Sequence, residues 1–179
     1  MAAFLVNIAA TLCVKRFHTN APALHVEGLS LFIFYSLIYY YLFTNKIIKT
    51  IVITTVTIVS VFAVVNALIL QPFLTVFPTN VNLPTFAILT ILPLLLFRQM
   101  LLSPLKTPLL DQGAFWYNAA ILFSSTTQFL IIGLSNYQAR THRFQAYLFY
   151  LWYVILFIFA ALVALALFKA GKEKENYAS

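Results

Sequence analysis

The sequence predicts an all-α, polytopic transmembrane bundle of about six spans. Composition comes first: 63% of the 179 residues are hydrophobic and only 8% are charged. A soluble domain carries about 25% charged residues, and a chain of this size cannot hide so much apolar surface in one water-facing core. Run length comes second. The apolar runs are continuous and about as long as a spanning helix requires, whereas barrel strands alternate apolar and polar over about ten residues.

The first run, Met1–Val14, is short and ends at Lys15-Arg16. Its charge follows the apolar stretch, the reverse of a signal peptide. The second, Gly28–Thr44, is dense in Phe and Tyr, and the third, Ile51–Gln71, is rich in Val, Ile and Thr. The fourth, Leu83–Leu102, has Pro84 for its first turn, Asn80 and Asn82 as candidate N-caps, and a kink expected at Pro93, which lacks an N–H. The fifth is Ala114–Leu134 and the sixth Gln145–Phe168. Residues 1–168 therefore read as one transmembrane bundle, and 169–179 as a polar, fraying cytoplasmic tail.

Charge sets the orientation. Eleven Lys and Arg against four Asp and Glu do not signal nucleic acid, because the basic residues sit in short loops and the tail. With six spans both termini share a side, which holds Lys46, Lys49, Arg98, Lys106, Lys169, Lys172 and Lys174; the other side holds Lys15, Arg16, Arg140 and Arg143. The richer side is the cytoplasmic one. Trp116 and Tyr117 then fall near the inner end of the fifth span, and Tyr147, Tyr150, Trp152 and Tyr153 near the outer end of the sixth, at depths that suit amphipathic rings.

The chemistry is sparse. No Asp or Glu lies well inside a span, and the sequence has no HExxH, GxSxG or phosphate-cradling glycine loop, so neither an enzyme nor a catalytic residue is expected. A proton relay needs titratable groups at membrane depth, and Asn7, Asn66, Asn118 and Gln128 do not titrate. No cofactor is expected. His18, His25, Glu27 and His142 share the outer side and are the only residue types there that suit a metal, but their spacing matches no local motif, so the expected metal content is none. Cys13 is alone, which excludes an intrachain disulfide.

One stretch stands apart. In GAFWYNAAILFSSTTQFLIIGLSNY, at 3.6 residues per turn, Asn118, Ser124, Ser125, Gln128 and Ser135 fall within an arc of about 120°. Thr126 and Thr127 point elsewhere and can bond back to carbonyls one turn earlier. Such a stripe packs helices together or lines a groove for a solute.

The same stretch resembles a family of small uncharacterised polytopic membrane proteins of Bacteroidetes bacteria. Phe115, Trp116, Asn118, Ser135 and Asn136 match the family's Phe-Trp-x-Asn and Leu-Ser-Asn elements, with Gln128 in place of a central Asn. VNALILQPFLTVFPTNVN resembles the family's third-span exit, and the closing ALVALALF is similar as well. The resemblance implies a seven-helix bundle whose first helix is missing here. Asn7, Tyr39 and Trp152 depart from it, standing at or near places where the family often carries an acid, a Glu and a polar His. Such proteins look like companions of sensor histidine kinases. The expectation is a bacterial inner-membrane, multi-pass module with a cytoplasmic C-terminus. It would sense or scaffold, contacting the bilayer and a membrane-bound sensor kinase. The alternative is a small-solute transporter or channel that uses the stripe.

Overall fold

The protein is described by a computed structural model over residues 11–103, 108–137 and 142–178, with side chains described except at 135–137, 142–146, 148–149 and 173–178. Among these residues there is no strand. Five long helices follow in order: α1 (Ala21–Leu42), α2 (Lys46–Val65, continued by a π-turn at Asn66–Leu70), α3 (Thr79–Leu102), α4 (Gly113–Tyr137) and α5 (His142–Ala178). The predicted all-α membrane bundle is what the structure contains. Five segments are long and apolar enough to cross a membrane: Ala21–Leu42, Lys46–Leu70, Thr79–Leu102, Gly113–Leu134 and Tyr150–Lys172. The chain is a multi-pass helical membrane protein, and the many large apolar side chains left exposed on these helices are the surface that lipid covers.

Most of the Met1–Val14 run lies outside the described residues. Residues 11–17 are helical, so the helix passes through Lys15-Arg16 instead of stopping at them. It closes at His18, whose backbone is left-handed (φ 58°) and whose N–H bonds to the Val14 carbonyl at 3.0 Å. Two cations in a last turn suit the negative end of the helix dipole.

Helix boundaries differ from the apolar runs for local reasons. Helix α1 starts at Ala21, not Gly28, because Thr19 Oγ1 accepts from the Ala21 N–H (3.2 Å) and Pro22 fits a first turn. Helix α2 starts at Lys46, not Ile51. Asn45 Oδ1 accepts from the N–H groups of Ile47 (2.8 Å) and Ile48 (3.4 Å), placing Lys46 and Lys49 in the helix and not in a loop. Helix α3 begins directly after Pro78, so Asn80 and Asn82 are not its N-caps and Pro84 lies in the second turn. The helix runs unbroken through Pro93. Helix α5 does not end at Phe168: the segment KAGKEKENYA continues it to Ala178, since Lys, Glu and Ala are good helix formers and need no lipid.

The chain divides into two compact units, residues 1–85 and 86–179. In the first, Phe32, Ser36 and Tyr39 form a buried stripe along α1, continued by Phe43 just past its end. Gly28, one turn before Phe32, lies against the Asn82 side chain, which fills the space a Cβ would take. In the second, α4 and α5 meet closely at their membrane-edge ends. A Cβ on Gly113 would stand 2.7 Å from the Ala166 carbonyl oxygen and 2.7 Å from the Ala170 side chain. There Asp111, in a short 3-10 turn (Leu109–Asp111), accepts from Lys169 Nζ at 2.6 Å, and Trp116 Nε1 donates to the Leu110 carbonyl at 2.8 Å.

Candidate functional site: a polar clasp at Pro93

A proline inside a helix leaves the carbonyl four residues earlier without its usual donor. For Pro93 that carbonyl is Leu89's. Ser125 on α4 stands opposite, its hydroxyl 3.0 Å from the Leu89 oxygen and 2.7 Å from the carbonyl of Ile121 in its own helix. The Leu122 carbonyl is also within reach at 3.3 Å, and since one hydroxyl has one proton, these acceptors share it. Ser125 also lies 3.3 Å from Thr90 Oγ1, whose own proton goes to the Phe86 carbonyl at 2.8 Å. Two turns before Ser125, the Asn118 amide donates to the Pro93 carbonyl at 2.9 Å. Asn118 is wholly buried and Ser125 nearly so.

The predicted stripe therefore divides. Asn118 and Ser125 reach across to the α3 backbone on either side of the proline. Ser124 and Gln128 pair within α4, with the Gln128 amide donating to Ser124 Oγ at 3.1 Å. Ser124 is buried and Gln128 half-buried. Ser135 lies in α4, but its side chain is outside the described residues. Of the two threonines, Thr127 bonds back to the Phe123 carbonyl at 2.7 Å, as expected.

Three of the four metal candidates have described side chains. The His25 Nε2–H donates to the Val76 carbonyl at 3.0 Å, and the ring packs on that of Phe73 (centroids 5.3 Å apart). His18 is exposed, Glu27 is half-buried in α1, and the side chain of His142 is outside the described residues. Among the described residues no three His, Cys, Asp or Glu side chains come together as a metal site.

A second polar cluster, in the first unit, was missed. Asn66 is wholly buried in the π-turn that ends α2. Its amide donates to Gln71 Oε1 (3.0 Å), which also accepts from the Asn80 N–H (3.0 Å), and the Asn80 amide donates back to Asn66 Oδ1 (3.2 Å). Gln71 thus caps the start of α3 from across the loop. Three amides flanking a run without charge are the signal that could have found this cluster.

Comparison with protein-family models, with curated proteins and with solved structures finds no match for this chain.

Proposed function

We propose that this chain is a non-enzymatic module of a bacterial inner membrane that senses or scaffolds and signals through a partner. A membrane-bound sensor kinase is the partner class we favour, and the C-terminus lies in the cytoplasm. One observation carries the reading. The polar groups that a pore or carrier would present to a solute at Pro93 are bonded instead to the α3 backbone, Ser125 to Leu89 and Asn118 to Pro93. In a membrane an unmet carbonyl is costly, and side chains that meet it stabilise helix packing and do not transport. The alternative, a small-solute pore along the stripe, would have to break these bonds to open. The absence of a titratable group at the clasp supports a role without proton-coupled chemistry.

The test is affinity purification from native membranes after mild crosslinking. A stoichiometric membrane partner is the expected result. A chain that elutes alone and, in proteoliposomes, accelerates the flux of a neutral solute overturns the proposal in favour of transport.

A further inference from the structure

No charged residue stands between Lys49 and Arg98, a stretch that holds two membrane-crossing helices and the loop joining them. A loop that emerges into water ordinarily carries charge or small polar residues. This one, QPFLTVFP at 71–78, instead exposes Phe73, Leu74, Val76 and Phe77 (37–48% exposed), and continues the exposed Leu68, Ile69 and Leu70 of α2.

Part of the loop backbone is bonded internally. Pro72 and Pro78 have no N–H to satisfy. The Gln71 N–H bonds to the Asn66 carbonyl (2.7 Å) and that of Phe73 to Ala67 (3.1 Å). Both Thr75 and Val76 bond to the Pro72 carbonyl at 3.1 Å. The Gln71 side chain turns inward to Asn66 and Asn80, and the His25 ring takes the Val76 carbonyl. The Gln71 side chain and the Val76 carbonyl are met from within, while Thr75 is exposed beside the four apolar side chains, a mixture that suits the headgroup–acyl boundary and not the hydrocarbon centre.

We infer that the α2–α3 connection is seated in the membrane, with Phe73, Leu74, Val76 and Phe77 immersed at the headgroup–acyl boundary of one leaflet. His25 and the Asn66–Gln71–Asn80 amides are the internal clamp that lets the backbone stay there. The occupant of this apolar surface is lipid. Its continuity with the lipid-facing side of α2 and the absence of charge on either flank favour lipid over a protein partner, which would be expected to meet some polar rim.

The experiment is site-directed spin labelling in proteoliposomes of neutral phospholipid, with Cys13→Ala as background and Leu74→Cys as the probe. Ile58→Cys, exposed in mid-α2, is the lipid control, and Arg16→Cys is the water control. The ratio of oxygen to nickel-chelate accessibility at residue 74 is expected within about twofold of the Ile58 site and several-fold above the Arg16 site, since oxygen partitions into lipid and the chelate does not. Phe77→Cys should read the same way, which guards against a local disturbance at 74. A high nickel-chelate accessibility at both sites overturns the inference in favour of a water-exposed loop. Shielding from both reagents overturns it in favour of cover by protein.

Discussion

The hydroxyl of Ser125 lies 3.0 Å from the carbonyl of Leu89, the one acceptor in α3 that Pro93 deprives of its helical donor. The proline and the serine are two halves of one arrangement. Pro93 can stay in a membrane helix because α4 supplies the missing donor. Ser125 can stay buried because its proton is shared between its own helix and the neighbouring one.

That relationship predicts a coupled mutational cycle. Ser125→Ala should destabilise the protein by about 1 kcal/mol, the scale of an interhelical hydrogen bond in a membrane. In a Pro93→Ala background the same change should cost less, because the restored N–H takes the Leu89 carbonyl. Equilibrium unfolding in bicelles measures all four corners of the cycle. Equal costs in both backgrounds would falsify the link between serine and proline.

Asn118 is buried and donates to the Pro93 carbonyl. Asn118→Ala should cost about 1–2 kcal/mol through a lost bond and a small cavity. Gln128→Ala, at a half-buried position whose partner is in its own helix, should change stability by under about 0.5 kcal/mol. Thermal unfolding in detergent ranks the two. A larger loss at Gln128 would move the functional weight of α4 to that residue.

How much of this was legible depends on the kind of signal. Long apolar runs placed the four spans that match α1–α4 and the apolar part of α5, because lipid imposes both length and composition. The 3.6-residue period placed Asn118, Ser124, Ser125 and Gln128 on one face of α4. The period could not say that Asn118 and Ser125 face Pro93, since that depends on the register between two helices. The starts of α1 and α2 were misplaced because a charge ends an apolar run without ending a helix, as Glu27, Lys46 and Lys49 show. The Gln71 bridge joins residues on both sides of a loop, which no local pattern records.

Glycines at two places should respond in opposite ways. A Cβ at Gly113 meets the Ala166 carbonyl and Ala170, so Gly113→Ala should destabilise by about 1–3 kcal/mol, the range for overpacking. Gly171 has nothing within 4 Å of that position, so Gly171→Ala should leave stability unchanged or raise it by up to about 1 kcal/mol through helix propensity. Thermal unfolding of the two variants checks the sign. A stabilising Gly113→Ala would contradict the close approach of α5 at that point.

Asp111 and Lys169 tie the 3-10 turn to α5 at 2.6 Å. Asp111 is more than half exposed, so the pair should contribute under about 1 kcal/mol and weaken with salt. Asp111→Lys should lower the unfolding temperature slightly at low ionic strength, and the added change Lys169→Asp should restore it. The restoration should fade in concentrated salt. Salt-independent rescue would assign the effect to packing.

Ser36 supplies the counterpart to Ser125. It is 1% exposed in α1, and its hydroxyl has no hydrogen-bond partner among the described residues, not even the carbonyl one turn earlier. A buried hydroxyl without a partner costs free energy, and alanine is the better helix former. Ser36→Ala should therefore raise stability by about 1 kcal/mol, whereas the identical change at Ser125 lowers it. The comparison is sharp because both serines are buried mid-helix and both variants remove the same atom. Unfolding midpoints measured side by side decide it. If Ser36→Ala is as costly as Ser125→Ala, the Ser36 hydroxyl is bonded in the membrane-embedded protein. A buried water or a neighbouring chain would then be its partner, which high-resolution structure determination in lipid would reveal.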